Sequence, residues 1–264
     1  MTELWWAYPL VGAVVGFLAG MLGVGGGLMI VPTLGFIFAA KGFPPQYVLH
    51  MALGTGIAVM LFTSAASTYG HQQHGAVRWD VLRHAVPGII LGTLAGSLLA
   101  SHLNTRWLTL AFTGFVYFVA IRTLITPKPV ATRTLPGRRG LFVAGAVVGA
   151  LSSIAAIGGA ALTVPYMVRC NVDMRHAIGT SAAIGFPIAL AATSAYIATG
   201  WSAPLPQYSV GFVYLPALAG VALATMLTAP LGARVSHRTP TARLRKIFVA
   251  VLLVLATRTL IAFF

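Results

Sequence analysis

Two glycine-rich segments are the part of this chain best suited to bind a ligand. Their glycines are Gly23, Gly25, Gly26 and Gly27 in the first segment and Gly158 and Gly159 in the second. Each segment interrupts a long apolar run, so the first N–H groups of the helix that follows lack intrahelical acceptors. Such a helix N-terminus carries partial positive charge and attracts anions. Two facing N-termini would form an anion site without a charged side chain, whereas close packing through small residues is the competing interpretation.

Hydroxyl and imidazole groups accompany both glycine segments. Thr55, Thr180 and Ser181 lie in the apolar runs that follow, where a hydroxyl can donate to a bound oxyanion or bond to its own backbone. His50 and His176 begin the same two runs, and an unperturbed imidazole titrates near neutrality. We therefore take the two histidines as candidates for proton coupling, with an interfacial histidine as the alternative for each.

The three acidic residues point away from a cation as substrate. Glu3, Asp80 and Asp173 all fall in tails or connections, whereas carriers of cations and protons usually hold a carboxylate inside the membrane. His71 and His74 have a two-ligand spacing but no acidic or thiol partner nearby, so no metal is predicted. No nucleophile with its base and no cofactor fingerprint is visible, so we predict neither an enzyme nor a cofactor.

The composition identifies the setting of these residues as a membrane. The chain has 264 residues with a formal charge of +14, and 58% are hydrophobic while only 8% are charged. A soluble domain carries about 25% charged residues. The Lys and Arg residues lie in the connections between apolar runs, so we expect the partners to be the lipid bilayer and a small anion rather than nucleic acid. An apolar outer face fits a monomer and a homodimer equally.

Eight apolar runs predict an all-α polytopic membrane protein. They cover residues 8–40, 48–69, 84–101, 107–125, 140–168, 177–199, 209–232 and 247–263. Six have about 17–25 residues, the length of a spanning helix. The runs 8–40 and 140–168 would extend roughly 45–50 Å as straight helices. Each is predicted to be a broken helix or a re-entrant hairpin, with Pro32 and Pro165 marking the structural breaks.

Matching landmarks divide the chain into two repeats. Gly25-Gly26 before Pro32 corresponds to Gly158-Gly159 before Pro165, while Ala52 to Thr55 corresponds to Ala177 to Thr180, and Pro87 to Pro216. We predict a first repeat at residues 1–126 and a second at 140–264. A basic cytoplasmic linker at 127–139 joins them, and each repeat combines one glycine-broken hairpin with three spanning helices.

The distribution of basic residues selects between two topologies. If all eight runs cross the membrane, the two sides carry 9 and 8 Lys and Arg residues. If the two broken runs re-enter, the sides carry 14 and 3, which the positive-inside rule strongly favours. This topology inverts the repeats, places the basic connections in the cytoplasm and leaves both termini outside. Inverted repeats with broken helices are typical of secondary transporters.

The two glycine-rich signatures resemble those of the TauE/SafE family of bacterial membrane transporters. Residues 11–32 read VGAVVGFLAGMLGVGGGLMIVP, residues 149–165 read GALSSIAAIGGAALTVP, and residues 179–181 match a Gly-Thr-Ser element of the family. Ala160 and Gly56 depart from the pattern, at places where the family has glycine and serine. The resemblance implies export of a small sulfur-containing anion, such as sulfite or an organosulfonate, across the inner membrane.

These observations lead to one hypothesis and two rivals. The hypothesis is an inverted-repeat secondary transporter that binds its anion at the paired glycine-rich breaks and works by alternating access. An anion channel that uses the same site is the first rival. A non-transporting membrane scaffold, in which the glycines only pack helices, is the second.

Overall fold

The computed structural model describes residues 4–22, 26–125, 133–236 and 241–263. These residues form α-helices, a 3-10 turn at Leu4–Trp6 and one small hairpin. The helices are α1 (Ala7–Leu22), α2 (Gly27–Ala40), α3 (Val48–Gln73), α4 (Trp79–His102), α5 (Thr105–Ile125), α6 (Arg138–Ala155), α7 (Ala160–Arg169), α8 (Met174–Gly200), α9 (Leu215–Ser236) and α10 (Thr241–Phe263). The hairpin consists of β1 (Ser209–Val210) and β2 (Val213–Tyr214).

Several helices have the properties of membrane spans. Within the described ranges, α3, α4, α5, α6 and α8 are each long and apolar enough to cross a bilayer. Large apolar side chains such as Leu91, Phe118 and Leu227 face outward from the bundle, as lipid-facing residues do. The prediction of an all-α, multi-pass membrane protein is therefore confirmed.

Glycines, and not prolines, interrupt the two long apolar runs. Gly26 and Gly159 cap the N-termini of α2 and α7 with φ angles of 55° and 76°, a region that glycine adopts without strain. Pro32 and Pro165 lie inside α2 and α7, each at the sixth helical residue. The prediction that the prolines mark the breaks is wrong, because a proline removes only one intrahelical hydrogen bond and the buried helix continues past it.

Each broken run turns back toward the end at which it started. Lys41, just after α2, donates from Nζ to the Tyr8 hydroxyl at 3.3 Å, close to the start of α1. In the second run, the N–H of Arg133, before α6, donates to the carbonyl of Arg169 at the end of α7, at 2.9 Å. The arms do not pair along their length, because α1 packs chiefly on α9 and α6 chiefly on α4.

The connections gather at two opposite ends of the helical bundle. At one end, which we call the Lys41 face, residues 41–47 meet the start of α5 and the β-hairpin, with Thr105 donating to the Gln46 carbonyl at 2.8 Å. The other end is the Arg78 face, where the Arg175 guanidinium donates to the His74 carbonyl. Helix α8 runs from the Arg78 face to the Lys41 face, and its 27 residues span about 40 Å.

Two helix pairs join the halves of the chain through glycines. In the α1–α9 pair, a Cβ on Gly12 would lie 2.6 Å from the Val221 carbonyl oxygen. In the α4–α6 pair, a Cβ on Gly145 would lie 2.5 Å from the Ala85 carbonyl oxygen. Each pair therefore takes one helix from the first half and one from the second, at backbone contact distance.

These contacts also correct one predicted landmark. Gly12 precedes Gly145 by 133 residues, the same offset that relates Gly25 to Gly158, so their partners Val221 and Ala85 correspond in the two packed pairs. The correspondence places Pro216 seven residues away from the position that matches Pro87. The two prolines are therefore not equivalent, although both fall early in apolar runs.

The boundaries of two predicted segments also shift. The run 209–232 begins with the antiparallel hairpin, and α9 starts only at Leu215. Gly211, at φ 54°, makes the turn, and the valines that flank it favour strands. Helix α6 starts at Arg138, inside the predicted linker, whose residues 127–132 lie outside the described part of the chain.

Candidate functional site

The two helix breaks meet inside the molecule. Gly27, the first residue of α2, packs directly on the carbonyl oxygen of Ala156, and a Cβ at Gly27 would overlap that oxygen. Ala156 follows α6 with a left-handed backbone, φ 50° and ψ 43°, which turns the chain toward Gly158 and Gly159. The structure thus brings together Gly26, Gly27, Gly158 and Gly159, whereas Gly23 and Gly25 lie outside the described residues.

Helices α3 and α8 enclose the paired breaks. On α3, the ideal Cβ of Gly56 lies 3.0 Å from the Val31 side chain of α2, and the Met60 sulfur lies 3.4 Å from the ideal Cβ of Gly158. On α8, the Ile184 side chain lies 3.2 Å from the ideal Cβ of Gly159. The breaks are therefore held between two long helices rather than at a surface.

Both short helices keep N–H donors at the meeting point. The Gly26 carbonyl accepts from Met29 and Ile30, both at 3.0 Å, so the helix ladder begins at that carbonyl. The Gly159 carbonyl accepts from Leu162 at 3.0 Å and from Thr163 at 2.7 Å in the same way. Within the described ranges the first two N–H groups of either helix make no hydrogen bond. The arrangement supplies two sets of backbone donors, as an anion site requires.

Thr55 and Thr180 form matching contacts that the sequence does not predict. The Thr55 hydroxyl oxygen accepts the N–H of Tyr214 at 3.0 Å, and the Thr180 hydroxyl oxygen accepts the N–H of Arg78 at 2.9 Å. Both side chains are buried. The glycine preceding each threonine packs on a carbonyl two residues before the bonded N–H. The two Gly-Thr pairs hold the chain immediately before α9 and α4, and each hydroxyl keeps its own proton to donate.

Ser181 and Thr163 are buried hydroxyls beside the second break. Neither hydroxyl has a hydrogen-bond partner in the described structure, and the residues are 0% and 4% exposed. The Thr163 Oγ1 lies 3.4 Å from the ideal Cβ of Gly159. Ser181 shares a helix face with Ile184 and Ile188, both of which contact Gly159. Thr163 is not among the candidate residues predicted from the sequence, although the alignment of the two signatures places it opposite Ile30.

The two candidate histidines have different surroundings. The His50 ring is buried and stacks near Phe212, and its Nε2 donates to the Leu103 carbonyl at 3.0 Å while its Nδ1 has no partner among the described residues. His176 is partly exposed at the Arg78 face, with Nδ1 3.6 Å from the Asp173 carboxylate. His71 and His74 gather no third His, Cys, Asp or Glu able to complete a metal site in the described ranges.

Long apolar helices around two broken, inward-pointing segments define a multi-pass membrane protein with the architecture of a transporter. Residues 8–259 match the family model described as sulfite exporter TauE/SafE, and this chain belongs to that family. A probable membrane transporter protein of Haemophilus influenzae is 34% identical over 94% of both chains. The probable membrane transporter protein YdhB of Bacillus subtilis is 27% identical over 88% of this chain and 90% of its own. No solved structure matches. The chain is a membrane transporter.

Proposed function

We propose that this protein is a secondary transporter that exports a small sulfur-containing anion, such as sulfite or an organosulfonate. The anion binds at the paired glycine-rich breaks and crosses the membrane by alternating access. The family description supplies the substrate class. Both described carboxylates, Asp80 and Asp173, lie at the Arg78 face, so neither repels an anion at the breaks.

One observation carries the proposal: the N-terminus of α2 meets the turn that leads to α7. Gly27 on the Ala156 carbonyl places the two sets of free N–H donors in one buried region. Backbone without regular structure survives at membrane depth only where protein covers it or where it lines a cavity. Backbone donors in a buried region bind an anion without the desolvation of a charged side chain.

We also propose that the two halves are inverted repeats, each with one re-entrant hairpin and three spans. The return of each broken run to its starting face supports this arrangement. The Arg78 face carries the basic connections 70–83 and 169–176 with Arg122 and residues 133–139, and the positive-inside rule then assigns it to the cytoplasm of a bacterial inner membrane.

Flux of sulfite into proteoliposomes tests the transport proposal. Purified protein is reconstituted, and sulfite uptake is measured with sulfate, taurine and sulfoacetate as competitors. A transporter gives saturable flux that competing anions reduce. Absence of flux for every anion, from protein shown to be folded, would contradict the proposal and favour the scaffold rival.

Substitution of the capping glycines tests the location of the site. Leucine at Gly26 or Gly159 is strained by the positive φ and fills the region where the breaks meet, so we expect flux to be lost. Gly114→Leu is the matched control, because a Cβ at Gly114 meets no atom within 4 Å and the residue is exposed. Normal flux in both capping variants would exclude the breaks as the site.

Imposing a pH gradient on the same vesicles tests proton coupling. His50 and His176 are the proposed carriers, and the buried His50 is the one held against the bundle interior. Coupled transport predicts faster sulfite flux when protons move down their gradient, and loss of that acceleration in His50→Gln or His176→Gln. Flux that ignores the gradient in the wild-type protein would remove both histidines from the mechanism.

A further inference from the structure

The buried hydroxyls that lack a partner are distributed unevenly over the bundle. In the described helices, every such serine or threonine hydroxyl belongs to α4, α6, α7 or α8. They are Thr93, Ser97, Ser152, Thr163, Ser181 and Thr193. Helices α1, α2, α3 and α9 contribute none among their described side chains. The unpartnered hydroxyls of the described helices therefore lie on α7 itself and on helices linked to it by contacts through α8, and of these the Thr163 hydroxyl lies beside Gly159.

We propose that the two breaks are not equivalent, and that the anion is held at the N-terminus of α7 by the hydroxyls of Thr163 and Ser181. The free N–H groups of Ala160 and Ala161 complete the site. This inference rests on the proposed function, since it takes the anion at the breaks as given and assigns it to one of them. The ligand is an oxyanion whose oxygens accept from two hydroxyls and two backbone amides.

The Thr163 hydroxyl lacks a partner for a structural reason. A threonine inside a helix commonly donates to the carbonyl four residues earlier, as Thr113 does to Thr109 at 2.6 Å. For Thr163 that carbonyl belongs to Gly159, which already accepts the N–H groups of Leu162 and Thr163. Both lone pairs of a carbonyl oxygen are then used. The Thr163 hydroxyl proton therefore remains free for a ligand at the helix N-terminus.

The first break carries no counterpart to this pair. Ile30 occupies the position that Thr163 holds in the second signature, and its Cδ1 lies 3.4 Å from the ideal Cβ of Gly26. Gly56 occupies the position of Ser181 and packs on the side chain of Val31. Among the described residues, only apolar atoms lie against Gly26, whereas the Thr163 hydroxyl joins the apolar side chains against Gly159.

The Thr163→Val variant distinguishes a loss of anion binding from a loss of folding. The Thr163→Val variant keeps the shape and removes only the hydroxyl, and a hydroxyl without a partner contributes no protein hydrogen bond to lose. We expect unchanged or raised thermal stability, with a half-saturating sulfite concentration about tenfold higher or more, as the loss of a hydrogen bond to a charged group predicts. Ser181→Ala should act in the same direction, and Thr163→Ser should retain near wild-type transport.

Thr113→Val is the matched control, because its hydroxyl is buried but bonded within its own helix. The second measurement is the rise in melting temperature that sulfite produces, which reports binding without transport. Sulfite should stabilise the wild-type and Thr113→Val proteins and should lose this effect on Thr163→Val. Equal sulfite affinity in Thr163→Val and wild type would overturn the inference while leaving the transporter proposal intact. Absence of both flux and stabilisation in the wild type would overturn both.

Discussion

At the scale of single residues, the same dipeptide performs the same task in both halves of the chain. Thr55 and Thr180 each accept an N–H from the segment that leads into a helix of the other half, α9 in one case and α4 in the other. The neighbouring glycine lets that segment approach the helix backbone. Each dipeptide therefore fixes the start of a helix that packs against a broken run.

Removing either threonine hydroxyl should destabilise the protein. In Thr55→Val and Thr180→Val, a buried backbone N–H loses its acceptor, which costs about 1–3 kcal/mol. We expect a lower melting temperature for the detergent-solubilised protein, with substantial recovery in the serine variants. Thr113→Val provides the comparison, since its hydroxyl bonds only to its own helix. Melting temperatures equal to that of Thr113→Val would show that the two contacts do not stabilise the protein.

Part of the candidate site can be predicted from residue types alone. The glycines identify the breaks, because in an apolar run of this length only a glycine-rich break releases backbone donors. The partners of Thr55 and Thr180 cannot be predicted this way, since they lie 159 and 102 residues away in the chain. Thr163 can be singled out from the sequence only when the two signatures are aligned, because the alignment places it opposite an isoleucine.

At the scale of elements, run length and glycine content predict the broken helices, whereas the hairpin before α9 escapes prediction. Residues 209–214 continue an apolar run without a polar boundary, so hydropathy alone extends the helix through them. The turn at Gly211 packs on the backbone of Ile197 in α8, and the N–H of Phe212 donates to the Tyr196 carbonyl at 3.1 Å. The conformation of this segment therefore depends on a tertiary contact, which the local sequence does not show.

The α4–α6 pair depends on glycine at the interface. Leucine at Gly145 would place its Cβ 2.5 Å from the Ala85 carbonyl oxygen, and backbone cannot rotate away as a side chain can. We expect Gly145→Leu to lose at least about 1–3 kcal/mol, the usual range for overpacking.

The measurement is the fraction of monodisperse protein after extraction, followed by its melting temperature. Gly114→Leu carries the same substitution on a helix face without neighbours and should remain close to wild type. A well-folded Gly145→Leu protein would mean that α4 and α6 separate more easily than their contact indicates.

At the scale of the whole molecule, the proposed topology predicts that the Lys41 face lies outside the cell and the Arg78 face lies in the cytoplasm. Single cysteines at Pro45 and Met174, both exposed, report the Lys41 face and the Arg78 face, in a background where Cys170 is replaced by serine. A membrane-impermeant thiol reagent added outside intact cells should label the cysteine at position 45 and spare the one at position 174. Labelling of both from the same side would refute the inverted arrangement.

Two groups of helices are linked by successive contacts, and an extensive α3–α8 contact joins the groups. In the first group α2 packs on α3, α3 on α9 and α9 on α1, and in the second α4 packs on α6 and α8, and α7 on α8, while α5 and α10 pack on each other. Each group mixes the two halves of the chain, because the glycine pairs α1–α9 and α4–α6 each join one helix from either half. The breaks lie where the groups meet, along α3 and α8. Alternating access therefore requires movement at the α3–α8 contact more than within either glycine pair.

A cross-link between α3 and α8 tests this requirement. The Ser64 Cβ lies 3.2 Å from the ideal Cβ of Gly185, close to the spacing of a disulfide, so Ser64→Cys with Gly185→Cys should form one under oxidation. We expect sulfite flux to stop in the oxidised protein and to return with reductant, while each single-cysteine variant is indifferent to oxidation. A channel needs no such movement. Undiminished flux through fully cross-linked protein would therefore argue against alternating access and for the channel that the sequence also allows.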